Sequence, residues 1–516
     1  MAARPSCVSG LIRRSWMLSM TGGLVSPQTR DSAGFADVTR PAAADSIPNS
    51  RLALTEHPLQ RAGARAIVAL ADVTEADRID ADALDRVAAR IVGDVVEAAV
   101  TDRNSAAYDW WKILFAMYPN AKPTHAKRSQ NRAELASEVG SYFAPDPVDD
   151  AAVSRPCAFC GGTTTVLWAK STLPMFDTTK ALNTLPPSLA GWPVCRPCRL
   201  AMWAMPYGAS LTLGSATVLS CDNAEIERDF TAVNLDRSRK IRQVGVDGVP
   251  ATATPERVAL HALERHALDR PVAATLWSFK NDNQEPWLRV SETRIAVVSF
   301  LYALRRDGEA RAGWMTLRRR LTKKGRDGST VQNGLDILAR ALFASANSRT
   351  DRILYYLSEQ AGDLSRIPAS TIRHWRALHA LYLKEMHGVD GADLQPVTTL
   401  LADWITQEKN PRGRFNEYCR AAGRGYSLQR LLMQATARLF LDGRQPADIT
   451  RVTERLLHGP QGYQLRGQLF FEVAAELVRR QAAIGQKSGD EPEGGEDDPD
   501  APLIPLDAND PDDEGE

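Results

Sequence analysis

Cys157-Ala-Phe-Cys160 and Cys195-Arg-Pro-Cys198 are two Cys-x-x-C pairs separated by 34 residues. A thiolate pair at this spacing chelates one metal ion from a single tight turn. Two such pairs close a tetrahedral Zn²⁺ site with no position left open for catalysis. Gly161-Gly162 follows the first pair, and Pro193 and Pro197 frame the second, as tight knuckle turns require. Cys157, Cys160, Cys195 and Cys198 are therefore the expected ligands of one structural zinc ion. The alternatives are ordinary buried thiols or disulfides, and nothing in the chain argues for secretion. Cys7, Cys221 and Cys419 are left over, which suits a reducing cytoplasm.

Other chemistry is poorly provided for. The chain has no Gly-x-x-x-x-Gly-Lys-Ser/Thr loop, no His-Glu-x-x-His pair and no Gly-x-Ser-x-Gly elbow. Its eight histidines are scattered. Paired knuckles also scaffold metal-dependent nucleases, which place a general-base histidine between or just after the knuckles. Residues 161–194 contain no histidine, and the nearest one downstream is His261. Without a base to activate water the hydrolytic reading has no chemistry. No enzyme is expected.

Charge is segregated along the chain. Lys and Arg total 63, as do Asp and Glu, but thirteen of the acids lie in 489–516, which has no Lys or Arg. The rest of the chain carries 63 basic against 50 acidic residues, a balance that points to a polyanion partner. The acidic end is read as a solvated tail; a second reading has it compete with nucleic acid for the basic surface. Residues 305–326 hold nine cations, Arg305, Arg306, Arg311, Arg318, Arg319, Arg320, Lys323, Lys324 and Arg326, with Trp314 among them. Such a run suits phosphate contacts, although a solvated helix face has the same composition. A second basic patch runs from Lys409 through Arg412 and Arg414 to Arg430, with Gly413, Gly423 and Gly425 loosening it. Asn281-Asp282-Asn283-Gln284 is a polar turn between apolar stretches; Asn281 and Asn283 are candidates for reading base edges, as well as ordinary turn formers.

These residues need positioning elements. Residues 52–118 read as helical, with Leu84, Val87, Ala88, Ile91, Val95 and Ala99 in one stripe that Asp80 or Asp82 can cap. A short helix follows Cys198, strands are expected at 209–220, Thr275–Phe279 and Trp287–Val290, and helix resumes at 293–306. From about 366 helices are expected at 369–386, 393–408, 426–441, 447–458 and 466–484, a bundle by their short connections. The fold class is α+β, mostly α. It divides into a leader (1–50), an amino-terminal body with the knuckles (51–365), a carboxy-terminal helical bundle (366–487) and a disordered acidic tail (488–516). No window is apolar enough to cross a membrane.

Four stretches resemble the CRISPR-associated CXXC–CXXC proteins, the large subunit of type I-A and I-B Cascade effector complexes. They are Glu56-His57-Pro58-Leu59 with Ala62-Gly63, the Met117-Tyr118-Pro119-Asn120 turn, the knuckles running into Met205-Pro206-Tyr207-Gly208, and Trp277–Asn281 leading to Gln284-Glu285-Pro286-Trp287. They span residues 52 to about 300; beyond 330 only a general helical character matches. The resemblance implies a non-catalytic cytoplasmic subunit. It would bind target double-stranded DNA, recognise the protospacer-adjacent motif and help form the R-loop. Its implied partners are crRNA-containing Cascade subunits and a helicase-nuclease recruited in trans. In such systems base pairing to the guide reads the sequence while protein reads the flanking motif. It further implies that a small subunit can arise by internal translation, for which Met386 is the candidate start. A free-standing zinc-knuckle DNA-binding or regulatory protein is the alternative, and a knuckle-scaffolded nuclease the third reading.

Overall fold

A computed structural model describes residues 51–147, 153–169, 190–249, 253–267, 271–281, 286–343, 351–362, 367–407, 411–482 and 503–504. Cys7, Asn283 and most of the acidic tail lie outside these residues. The stretch expected as helix breaks into three: α1 (Pro58–Leu70), α2 (Ala81–Val100) and α3 (Tyr108–Met117). Each start has a local cause. His57 Nδ1 accepts the Gln60 N–H at 3.4 Å with Pro58 in the first turn, and Asp80 Oδ1 accepts the Ala83 N–H at 2.7 Å. The apolar stripe of α2 is buried as its spacing requires. Helix α4 (Arg132–Tyr142) precedes the knuckle segment, whose four two-residue strands are β1 (Arg155–Pro156), β2 (Thr163–Thr164), β3 (Leu167–Trp168) and β4 (Trp192–Pro193). Helix α5 (Arg196–Gly208) leaves the second knuckle; Pro206 sits in its last turn rather than ending it.

A four-stranded antiparallel sheet follows, in the order β5 (Ser210–Leu211), β6 (Ala216–Cys221), β7 (Ala274–Lys280), β8 (Trp287–Glu292). It separates two apolar cores. Alternation along a strand sends successive side chains to opposite faces. Ala216, Val218, Trp277 and Phe279 therefore face a core that runs back to Leu52, while Leu219, Cys221, Ala274 and Leu276 face one that runs forward to Ile504. Register couples the faces, with Val218 opposite Trp277 and Leu219 opposite Leu276. Helices α6 (Ala224–Val244) and α7 (Pro255–His266) connect β6 to β7. The first turn of α6 carries Glu227, a buried carboxylate that accepts Arg61 Nε at 2.6 Å and Arg65 Nε at 2.9 Å from α1, and the Cys221 N–H at 3.1 Å.

The forward core is helical. It contains α8 (Ala296–Arg306), α9 (Gly308–Leu321), α10 (Gly334–Leu342), α11 (Arg352–Gln360), α12 (Ala369–His387), α13 (Gln395–Thr406), α14 (Pro411–Ala422), α15 (Gly425–Leu441), α16 (Thr450–Leu457) and α17 (Gly462–Arg479). The bundle helices expected from about 366 form within a few residues of their anticipated ends. Helix α14 replaces the loosened basic loop: Pro411 supplies a helical first turn, and Gly413 is helical. A hairpin of β9 (Lys323–Lys324) and β10 (Thr330–Gln332) joins α9 to α10, an element that sequence reading had left as a run of charge. The protein is thus a mostly helical α+β fold with a four-cysteine insertion, as expected. The core that the bundle helices share begins at Leu219.

Helix α12 carries a buried titratable group, His379, which is 1% exposed. Its Nδ1 lies 2.7 Å from Gln468 Oε1, while Gln468 Nε2 donates to Glu472 Oε1, so Nδ1 carries the proton. Burial pulls the His379 pKa down to about 4. An unfolded chain takes up this proton near pH 6.5 and the fold only near 4, so stability falls as pH drops through that window. The loss totals about 3 kcal/mol. Urea midpoints at pH 7 and pH 4.5 should differ less in His379→Gln than in the wild type; an equal difference would place the acid sensitivity elsewhere.

Candidate metal centre

The first knuckle is a backbone-closed turn. Gly161 N–H donates to Cys157 O at 2.9 Å and Cys157 N–H to Gly162 O at 2.7 Å. Gly161 has φ +75°, a conformation that glycine adopts without a Cβ penalty. The second knuckle docks edge-on: Ala158 N–H donates to Pro193 O at 2.8 Å, and Val194 N–H to Val166 O at 3.0 Å. Cys195 is the N-cap of α5 and Cys198 lies in its first turn, with Pro197 between them. A helix start of this kind favours thiolate through its unpaired N–H groups.

The four Sγ atoms lie within 4.8 Å of one another, and Cys160 Sγ and Cys195 Sγ are 3.5 Å apart. A tetrahedron with Zn–S bonds of about 2.3 Å has edges of about 3.8 Å, so the sulfurs stand at ligand spacing. All except half-buried Cys160 are buried. Without a cation these thiols perturb one another. Hydrogen bonding to Cys160, Cys195 and Cys198 pulls Cys157 well down, whereas hydrogen bonding to Cys157 and Cys160 pushes Cys195 and Cys198 well up. A divalent cation removes this conflict by letting all four ionise. The donor set fits a soft divalent ion held as a closed structural site.

Residues that sequence reading missed orient this centre. Gln60, fully buried on α1, donates from Nε2 to Cys198 Sγ at 3.7 Å and to Ala53 O at 2.7 Å. Its Oε1 accepts from Thr55. The His57 ring meets Phe159, inside the first knuckle, edge-on at 4.9 Å. A histidine does approach the knuckles, then, but its Nδ1 caps α1, and burial lowers its pKa. Arg199 is buried beside the second knuckle, donating to Tyr142 O at 2.8 Å and Ala144 O at 2.9 Å and pairing with Asp146 at 2.5 Å. Arg196 pairs with Asp85 and donates to Phe143 O. These two ion pairs tie the second knuckle to α2 and to the segment after α4. Spacing three along a helix start, as in Cys195-Arg-Pro-Cys198-Arg199, was the available signal for them.

Helix α5 lies against α1 at van der Waals range. A Cβ on Gly63 would fall 1.7 Å from Ala201 O, so this crossing requires glycine. Tyr118 stacks on Trp203 of α5 at 4.1 Å and donates from its hydroxyl to Met202 O at 2.5 Å. Asn281 donates from Nδ2 to Met117 O at 2.7 Å and is 1% exposed. A side chain turned inward in this way cannot meet a base edge, so Asn281 holds the turn after α3 and is withdrawn as a reader of sequence.

The basic residues separate into buried and exposed sets. Arg318 is buried against Met315 Sδ at 3.6 Å, Arg311 is buried, and Arg320 lies over the Trp375 ring at 5.5 Å. Arg318 is thereby corrected from a phosphate contact to a packing residue. Trp314, inside the same run, is fully buried against Phe300. Arg319 and the hairpin residues Lys323, Lys324 and Arg326 are exposed. On α14, Arg412 is exposed, whereas Arg414 lies over the Trp404 ring at 4.6 Å and pairs with Glu417 at 3.7 Å. No helix among the described residues is long and apolar enough to cross a membrane.

No protein-family model, curated protein or solved structure matches the chain.

Elemental analysis of the purified protein should find one zinc per chain. Chelation, or Cys195→Ser with Cys198→Ser, should lower the urea midpoint sharply, since structural zinc contributes as much as about 10 kcal/mol at neutral pH. Full stability after chelation would mean that no metal is held. Gly63→Ala pushes α1 off α5 and should cost about 1–3 kcal/mol while speeding zinc loss to a chelator. Asn281→Ala should lower stability without altering any sequence preference.

Proposed function

We propose that this chain is the large, non-catalytic subunit of an RNA-guided DNA surveillance complex of the type I Cascade kind. One observation carries the reading: the four stretches behind the resemblance belong to one constellation. His57 touches Phe159 of the first knuckle, Gln60 reaches Cys198, Tyr118 stacks on the helix that follows the second knuckle, and Asn281 bonds Met117. Residues scattered over more than two hundred positions are thus the parts of a single packed centre. That shared core supports the resemblance, because the quoted residues serve one packed unit.

On this reading zinc supports the fold and the exposed cations supply the function. Arg319 and the tip and sides of the β9–β10 hairpin meet phosphates, with Arg412 as a second contact. Their charge attracts any nucleic acid; sequence discrimination belongs to guide pairing and to the flanking motif, for which Asn283 remains the candidate reader.

Purification of the tagged protein from its host should bring a short guide RNA and partner subunits. Recovery alone, with duplex binding intact, would favour a free-standing DNA-binding protein instead; metal-dependent DNA cleavage by the chain alone would favour a nuclease. Lys323→Ala with Lys324→Ala and Arg326→Ala should weaken binding to all sequences alike and flatten the salt dependence by up to about three units of slope. An unchanged slope would remove the hairpin from the interface. Asn283→Ala should change flanking-motif preference, and a uniform loss would contradict that role.

A further inference from the structure

Leu503 and Ile504 interrupt the acidic carboxy-terminal stretch, with seven Asp and Glu before them from residue 489 and six after them. Both side chains are fully buried in the forward core. Their N–H groups donate to the two oxygens of a single carboxylate on α7: Leu503 N to Glu264 Oε1 at 3.0 Å and Ile504 N to Oε2 at 3.2 Å. His261 Nδ1, one turn earlier, lies 2.7 Å from Ile504 O and donates to it. Glu264 is 2% exposed, and Arg305 Nε stands 4.0 Å from Oε1. A buried carboxylate demands donors, and here two consecutive peptide N–H groups provide them. Glu264 and His261 hold the backbone of the pair, while its two side chains join the forward core.

We propose that this face of α7 is a docking site for a bent apolar dipeptide, that the chain's own Leu503-Ile504 fills it, and that the acidic runs so tethered compete with polyanions for the basic hairpin. The docking stands by itself; the competition rests on the nucleic-acid reading above. Pro502 and Pro505 flank the pair, and each proline fixes its own φ and narrows the choices of the residue before it, which lowers the entropy lost on docking. The hairpin is close to the anchor. Thr254 Oγ1 and Arg257 Nη1, at the start of α7, lie 3.4 Å and 3.9 Å from Asp336 Oδ1 in the first turn of α10. Helix α10 begins two residues after β10 ends. From Arg257 to Glu264 is about 10 Å of helix axis. A stretch of fourteen residues such as 489–502 spans up to about 46 Å, ample reach for its acids.

The test compares the full chain with a full-length Leu503→Asp, Ile504→Asp variant. Hydrogen exchange should find the Leu503 and Ile504 amides protected in the wild type; free exchange overturns the docking. A fluorescent peptide of residues 499–508 should bind the variant, a peptide carrying the same two substitutions should not, and Glu264→Gln introduced into the variant should weaken the peptide at least tenfold. Sedimentation should give monomers for both chains; a wild-type dimer that the variant loses would assign this face to a second copy's tail and overturn occupancy in cis. At low salt the variant should bind duplex DNA several-fold more tightly than the wild type. Equal affinity overturns the competition while the exchange and peptide results decide the docking. Absence of DNA binding by both chains overturns the nucleic-acid reading and the competition with it.

Discussion

Four thiols cannot all ionise within 4.8 Å of one another unless a cation sits among them. That constraint organises the amino-terminal half of the molecule. The sulfurs come from two turns separated by 34 residues, so an ion held by all four would reinforce the backbone bonds that already join the two knuckles. Because Cys195 and Cys198 open α5, fixing the sulfurs also fixes the start and direction of that helix. Helix α5 then meets α1 at the Gly63 crossing, and Gln60 on α1 returns a hydrogen bond to Cys198. The cysteine cluster, the helix crossing and the Gln60 bond form one closed loop of interactions, in which each member orients the next.

The sheet carries that rigidity across the molecule. Strands β6 and β7 are buried on both faces, so their alternation serves two cores at once. A slip of one residue in their register would exchange the two sets of side chains between cores, which makes this register strongly specified. The buried Glu227 between Arg61 and Arg65 ties α1 to α6 on the same wall. Its geometry, with a backbone N–H from Cys221 as a third donor, meets the requirement that a buried charge be fully paired. The basic residues hang from the far core: half-buried Arg320 and Arg414 each lie over a buried tryptophan, and the hairpin with its exposed cations extends from the end of α9. Architecture and charge are in this sense separate layers, the first buried and built around the four cysteines, the second solvated.

Much of this was legible as pattern. Cys-x-x-C spacing announced the metal centre, Asp80 the start of α2, and alternation the strands β6 and β7. Charge runs misled, because composition does not say which way a side chain turns. Arg318 and Arg311 belong to the same run as Lys323 and Lys324, yet the first pair is buried and the second exposed. Trp314, within that run, is core, and Asn281, in a polar turn, is a buried donor. Leu503-Ile504 was invisible within an acidic tail, since two apolar residues have no periodicity to detect.

By itself, then, the sequence determined the local terms: ligand type and spacing, helix starts, strand alternation and the segregation of charge, all of which depend on neighbours within a few positions. Only the tertiary structure decided the pairings at long range. It brought Gln60 to Cys198, Asn281 to Met117, and Glu264 to the amides of Leu503 and Ile504. Such contacts are set by which faces pack together, and a buried polar group takes its role from whichever donor or acceptor the packing delivers to it.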